Sequence, residues 1–292
     1  MLRRMAESQR PSRAILITGC SSGIGHATAL HLAGRGHTVV ATARTPERIA
    51  DLADAGCTTL ALDVTDEASM RAAVEAVEAE HGAVGALVNN AGYSQSGAVE
   101  SVPMDAVRRQ FETNVFGLVR MCQLVLPGMR AQGSGRIVNV SSMGGTLTFP
   151  GGGIYHATKY AVEAISDALR FEVAGFGVRV VVIQPGLIRT GFGDAAAGAL
   201  EDTEDDGPYA AFNAAVGKAT QGAYEGGGAA ARLGGGPETV ARTIERALTT
   251  AQPKARYRVT PSAHVLIRQR ALMPDRLWDR FVATQFPRPG AE

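Results

Sequence analysis

Short apolar runs alternate along this chain with stretches that repeat hydrophobic residues every three to four positions, and the alternation continues from residue 14 to about residue 259. The run at 14–18, Ala-Ile-Leu-Ile-Thr, is strand-sized, and Ala27, Leu30, Leu32 and Ala33 after it keep helical spacing. A second strand at 38–42 follows, then a helix opened by Pro46 and running to about residue 53, then a strand at 58–62 ending in Asp63-Val64. Met70, Ala73, Val74 and Val77 define one face of a helix over 66–80, and the strand at 86–89 leads into Asn90-Ala91-Gly92. Residues 104–131 read as one long amphipathic helix with Met104, Val107, Phe111, Val115, Leu118, Cys122, Val125 and Met129 on its stripe and a kink at Pro127. A fifth strand at 136–141, a helix containing Tyr155 and a sixth strand at 178–183 continue the series. That helix carries Ala161, Val162, Ile165, Ala168, Leu169 and Phe171 on more than one side, so burial on two faces is expected. Strands alternating with helices in this way predict an α/β protein whose parallel sheet is covered on both faces.

The ends and one insertion differ in composition. Residues 1–12 are polar and read as a disordered tail, leaving a single domain over 13–292. Residues 191–236 hold an acidic run, two Gly-Gly-Gly stretches and the aromatics Phe192, Tyr209, Phe212 and Tyr224, a composition that fits a substrate lid. A helix from Pro237, a last strand at 256–259 and a C-terminal extension over 261–292, read as two short helices around Pro274, complete the chain. No internal repeat is evident.

Among 292 residues, 45% are hydrophobic and 20% charged, enough for one large buried core. A formal net charge of +1 without a basic block argues against nucleic acid as a partner. No apolar run is long enough for a membrane span, and no hydrophobic stretch precedes the first strand, so a cytoplasmic location is expected. Three widely spaced cysteines fit reduced thiols, and six scattered histidines form no ligand cluster, so no metal site is expected.

Chemistry concentrates in two places. Gly19-Cys20-Ser21-Ser22-Gly23-Ile24-Gly25 joins a strand to a helix, where glycines let the backbone approach a pyrophosphate and the free N–H groups of the helix start bind its charge. Tyr155 and Lys159, four apart on a helix, lie about 5–6 Å from each other at their Cβ atoms. A cation about 4 Å from a phenol is worth roughly 4 kcal/mol at an effective dielectric near 20, which lowers the phenol's pKa by up to about three units. Ser142 follows the fifth strand at its carboxyl end, where open α/β sheets bind ligands, and can hold a carbonyl oxygen for Tyr155. Asn114, inside a helix, is a residue type placed there to bond something. At the end of the second strand Ala43 stands where a carboxylate would hold the ribose 2′-OH of NAD, and Arg44 follows, suited to a 2′-phosphate; NADP(H) is therefore expected over NAD(H).

Taken together, Thr18-Gly19, Gly23, Gly25, Asn89-Asn90-Ala91-Gly92, Asn114, Ser142, Tyr155, Lys159 and Pro185-Gly186 resemble the short-chain dehydrogenase/reductase superfamily over roughly residues 14–248. The resemblance implies a Rossmann-type doubly wound sheet of about seven strands in the order 3-2-1-4-5-6-7. It implies that Tyr155 is the acid in ketone reduction and the base in alcohol oxidation, that Ser142 polarises the carbonyl, that Lys159 lowers the Tyr155 pKa and bonds the nicotinamide ribose, and that Asn114 holds a water linking Lys159 to solvent. It also places Asp63 and Val64 at the adenine, Asn90 at the adenosine ribose, and Ile188 with Thr190 at the carboxamide. Pairing into homodimers or tetramers through the 104–131 and Tyr155 helices is implied, a dimer being preferred. The C-terminal part is similar to members related to hydroxysteroid and retinol dehydrogenases, which implies a bulky apolar carbonyl or alcohol. Two alternatives stand beside this reading: a 3-oxoacyl reductase, and a cofactor-sensing regulator on the same fold.

Overall fold

A computed structural model of the chain describes residues 11–191, 198, 207–225 and 233–290. Seven strands form one sheet: β1 Ile15–Ile17, β2 Val39–Ala43, β3 Thr58–Ala61, β4 Ala86–Asn89, β5 Gly135–Val140, β6 Val178–Pro185 and β7 Arg256–Val259. Their order is β3-β2-β1-β4-β5-β6-β7 and every pairing is parallel, as the alternation of elements requires. Each strand sends successive side chains to opposite faces. Ile15, Ile17, Val39, Ala41, Val88, Val138 and Ile183 face one helical layer; Leu16, Val40, Leu87, Ile137 and Val180 face the other.

The first layer comprises α1 Gly23–Gly34, α2 Ala50–Asp54 and α8 Pro237–Thr249, which contribute Leu32, Leu52 and Ile244. The second comprises α3 Glu67–His81, α5 Gly117–Ala131 and α6 Gly153–Val173, with Val74, Met121 and Val162. Asp66 caps α3, its carboxylate accepting from the N–H groups of Ala68 and Ser69, so the polar-to-apolar switch in the sequence marks the helix start.

The 104–131 stretch is helical throughout but not uniform. It comprises α4 Met104–Phe111, a wider π-type turn at Glu112–Phe116, and α5, which runs through Pro127. The departure from α geometry therefore lies around Asn114 rather than at the proline, where a widened turn re-aims one side chain. Gly117 ends that turn against the Val64 backbone, and a Cβ at 117 would come within 2.8 Å of Val64 Cβ.

On the remaining side, helix α9 Pro261–Leu272 and helix α10 Asp275–Ala283 pack Ala263, Ile267 and Trp278 against Leu147, Met143 and Phe149 of the segment after Ser142. Helix α7 Ala210–Glu225 seats Phe212 and Val216 on Ala98, with Tyr209 and Phe286 beside them. The expected lid at 191–236 is thus described only in part; Phe192, the acidic run and the first Gly-Gly-Gly stretch lie outside the described residues. Most of the expected N-terminal tail does too, while Ser12 donates its N–H to Gln132 Oε1 at 2.9 Å.

Among the described residues, the second apolar side of α6 is not covered. Tyr160, Ala164, Ala168 and Phe171 recur at helical spacing and are all exposed, Phe171 by 89%. Phe116 on the neighbouring helical turn is exposed by 54%.

Candidate functional site

Strands β1 and β4 are neighbours, and the connections that follow them leave in opposite directions, opening a cleft at their carboxyl ends. The first wall is the glycine turn. Gly19 adopts φ +72° and Gly23 φ +58°, a region that side-chain-bearing residues rarely enter. A Cβ on Gly19 would stand 2.8 Å from Ala91 Cα, and one on Gly25 would collide with the Gly19 carbonyl oxygen and the Asn90 amide. Ser22 precedes α1 with extended backbone and makes no side-chain cap, so the first N–H groups of α1 are not taken up by it.

Across the cleft mouth, Asn90 Nδ2 donates to the carbonyl oxygens of Thr18 at 3.0 Å and Gly19 at 2.9 Å. The N–H groups of Asn90 and Ala91 both donate to Thr18 Oγ1 at 3.0 Å. The Asn90 amide is thereby committed to holding the turn, a role the sequence does not disclose, although the residue also lines the cleft.

A cavity of about 790 Å³ results. Gly19, Ser21, Ser22, Gly23, Ile24, Arg44, Asp63, Val64, Asn90, Ala91, Gly92, Ser142, Tyr155, Lys159, Pro185, Gly186, Ile188 and Thr190 all border it. Gly25 and Asn114 do not, Gly25 because it packs under the turn and Asn114 because it is buried behind the wall. Arg44 and Arg48 lie at the far end, both exposed, beside the buried Ala43. Among the described residues neither arginine is paired with a carboxylate.

At the opposite end α6 brings Tyr155 and Lys159 together, with Lys159 Nζ 5.7 Å from the centre of the Tyr155 ring. Nζ donates to the Val140 carbonyl at the end of β5 at 2.9 Å. Burial pushes the Lys159 pKa down to about 8, opposed in part by the charge of Glu163, so the ammonium persists at neutral pH. Ser142 Oγ accepts the Gly144 N–H at 3.0 Å, which leaves its own O–H available to a ligand.

Asn114 is 2% exposed. Its Oδ1 accepts from the Tyr93 N–H at 3.2 Å, and its Nδ2 donates to the Tyr93 carbonyl at 2.9 Å and to Thr158 Oγ1 at 3.2 Å. It ties the segment after β4 to α6, and Thr158 and Tyr93 are partners that sequence spacing could not have revealed. His156, also unforeseen, sits against Gly144 and Gly152 with Nδ1 accepting the Phe149 N–H at 3.4 Å; burial lowers its pKa to about 4, so the ring is neutral. The three thiols are buried and free, and burial raises Cys20 and Cys122 to about 12, far from reactive.

A glycine turn that only glycines can make, facing a Tyr, a Ser and a buried Lys across one cleft, is an arrangement for a dinucleotide and a carbonyl or alcohol. The family model described as short chain dehydrogenase matches residues 13–199. The chain belongs to the short-chain dehydrogenase family. An uncharacterized oxidoreductase of Escherichia coli, YbbO, is 35% identical over 271 residues, covering 92% of this chain and 94% of that protein. An NADPH-dependent 3-dehydrocapnine reductase of Ornithobacterium rhinotracheale is 34% identical over 280 residues, 92% and 95% of the two chains. Among solved structures, a short-chain dehydrogenase from Streptomyces avermitilis superposes with a TM-score of 0.77 at 34% identity over 92% of this chain and 95% of its own. The chain is therefore an oxidoreductase of the short-chain dehydrogenase kind, acting on CH–OH or C=O groups with a nicotinamide cofactor. Among the described residues no helix is long and apolar enough to cross a membrane.

Keeping an ammonium buried costs a short-chain dehydrogenase stability. The unfolded Lys159 titrates near 10.5 and the folded one near 8, a depression worth about 3 kcal/mol. Between those values the unfolded chain binds more protons, so stability rises with pH; below about pH 8 the whole penalty is present. Lys159→Met should raise the urea midpoint at pH 7, with an advantage that shrinks as pH approaches 10. A variant less stable than the natural protein at pH 7 would contradict this account.

Proposed function

We propose that the protein is an NADP(H)-dependent oxidoreductase that interconverts a ketone and a secondary alcohol, with a bulky, apolar substrate. The observation that carries this reading is the placement of Ser142, Tyr155 and Lys159 on one wall of the cleft opposite the glycine turn. The cradle fits a dinucleotide because Cβ atoms at Gly19 and Gly25 would fill the space the turn needs to close against Asn90 and Ala91. Gly19, Ser21, Ser22, Gly23 and Ile24 would hold its pyrophosphate, Asp63 and Val64 its adenine, and Ile188 and Thr190 its carboxamide.

When bound, the nicotinamide supplies or accepts the hydride. Ser142 O–H donates to the substrate oxygen and orients it. Tyr155 delivers its phenolic proton to that oxygen in reduction and removes it in oxidation, and the Lys159 ammonium favours the phenolate form through its charge. Asn114 fixes Thr158 and with it the first turns of α6, so the Tyr155 oxygen is held in place. Met143 and Phe149, half-buried in the segment after Ser142, support a hydrophobic substrate. The relative named for NADPH-dependent reduction supports both the cofactor and the reducing direction.

Preference for NADP(H) rests on Arg44 and Arg48 at the cavity end, next to Ala43 instead of an acid. Charge-assisted hydrogen bonds to a phosphate are worth roughly 1.5–3 kcal/mol each, which favours NADP(H) by about tenfold or more. The exposed stripe of Tyr160, Ala164, Ala168 and Phe171, with Phe116 adjoining, supports a homodimer through these helices.

Three measurements test these readings. In a screen of apolar ketones with NADPH, Tyr155→Phe should abolish turnover, and activity surviving that change would refute the mechanism. Titration of both cofactors should show tighter binding of NADP(H); Arg44→Ala should weaken NADP(H) and leave NAD(H) nearly unchanged, whereas a natural protein preferring NAD(H) would sink the assignment. Light scattering at micromolar concentration should give twice 30.4 kDa, with Phe171→Arg shifting the protein toward the single-chain mass; a 30.4 kDa species alone in the natural protein would rule out the dimer.

A further inference from the structure

Behind the Tyr155–Lys159 pair lies a second charged group that hydride transfer does not call for. Glu163 follows Lys159 by one turn of α6, and its side chain is only 8% exposed although it does not border the cleft. Its Oε1 accepts from Gln184 Nε2 on β6 at 3.0 Å, and its Oε2 accepts from Arg256 Nε on β7 at 2.8 Å. Arg256 also donates to Asp167 Oδ2 at 2.6 Å, so the guanidinium keeps a second acid partner.

The catalytic loop rests on this group. A Cβ on Gly145 would come within 2.7 Å of Ser141 Oγ, 2.9 Å of Glu163 Cγ and 3.0 Å of the Lys159 carbonyl oxygen. The Ser141 hydroxyl, the stem of Glu163 and the backbone of Lys159 thus meet at one point just behind Ser142. A carboxylate is expensive to bury, and two donors clamping it reduce that cost without consuming its charge.

We propose that Glu163 is a positioning residue: its carboxylate, clamped by Gln184 and Arg256, keeps the buried Lys159 ammonium charged for Tyr155. This deepens the reading above and rests on the roles given there to Tyr155 and Lys159. Near Lys159 stand Tyr155 and Glu163 on α6, the Val140 carbonyl at the end of β5 and Asn114 from the π turn; Gln184 from β6 and Arg256 from β7 hold Glu163, and Asp167 holds Arg256. Burial works against the ammonium and the Glu163 charge works for it; a cation such as Arg256 acts in the opposite sense.

Direct titration of the ammonium needs no substrate. The chain has three lysines, Lys159, Lys218 and Lys254, so protein carrying ε-13C-lysine gives three signals, and Lys218→Arg and Lys254→Arg identify that of Lys159. Glu163→Gln should lower the Lys159 midpoint by about one unit, a tenfold loss of proton affinity. Glu163→Asp, which keeps the charge, should recover most of that loss. If Glu163 only braced α6 against β7, its loss would loosen the joint and move the midpoint upward toward the solvent value. An unchanged or raised midpoint in Glu163→Gln therefore overturns the proposal. Should that variant not fold, the double change Glu163→Gln with Arg256→Gln leaves neither member of the pair buried without its counter-charge; Arg256 acts on Lys159 more weakly than Glu163, so a smaller lowering is expected, and an unchanged or raised midpoint overturns the proposal. In ketone reduction, the alkaline limb set by Tyr155 should move to higher pH in Glu163→Gln. A Tyr155→Phe variant that still turns over would defeat the reading of the site, whereas an inactive Tyr155→Phe with an unmoved Lys159 midpoint would defeat only the role of Glu163.

Discussion

Everything at this site depends on how closely the segment after β1 approaches the segment after β4. Thr18 Oγ1 accepts two N–H groups from Asn90 and Ala91, while the Asn90 amide returns two hydrogen bonds to the carbonyls of Thr18 and Gly19. That reciprocal set draws two parallel strands together at their carboxyl ends, and it can close only because Gly19 and Gly25 carry no side chain. The helix that follows then starts with its N–H groups facing the cleft. A dinucleotide cradle is in this sense a by-product of satisfying backbone polar groups where the sheet's connections diverge.

A second consequence is that the sheet's centre tolerates an unusual amount of polarity. Asn89 Nδ2 donates to Asn139 Oδ1 at 3.0 Å across β4 and β5, and Asn139 donates onward to Ser166 on α6 at 2.9 Å. Each of these groups is buried and each has its partner, so the network costs little while fixing α6 in register against β5. Register matters there, because Lys159 must reach the Val140 carbonyl from one helix turn while Tyr155 reaches the cleft from the turn before. Apolar replacements could pack as tightly, but they would not select one sliding position of the helix along the strand.

Much of this architecture was legible in the residues alone, and the boundary of legibility has a physical form. The alternation of elements and the parallel sheet followed from period, while the strand order came from the family resemblance: buried parallel strands read as unbroken apolar runs, and the helices between them keep a stripe such as Met70, Ala73, Val74 and Val77. The Tyr155–Lys159 pair and the glycine turn were legible because each is local, set by a spacing of four or by a strand-turn-helix sequence. What stayed hidden is what distant segments do to one another. The widened turn at 112–116 leaves no periodic mark, and the proline that did attract attention sits inside a continuous helix. Asn90 reads as a ligand contact until its amide is seen clasped to Thr18 and Gly19. Glu163 and Arg256 are 93 residues apart, and nothing in either neighbourhood announces the other.

The apolar pattern of α6 marks a different limit. Periodicity in a sequence reports that a face is to be covered, not which chain covers it. Val162 and Val173 are buried against their own sheet, whereas Tyr160 and Phe171 on the other side are exposed among the described residues. Among the described residues, the helix that carries Tyr155 and Lys159 is therefore covered on one side only. In the proposed dimer a second copy covering its other side would remove water from the outer flank of the same turns that place Tyr155 and Lys159, so that one helix would serve both the site and the assembly.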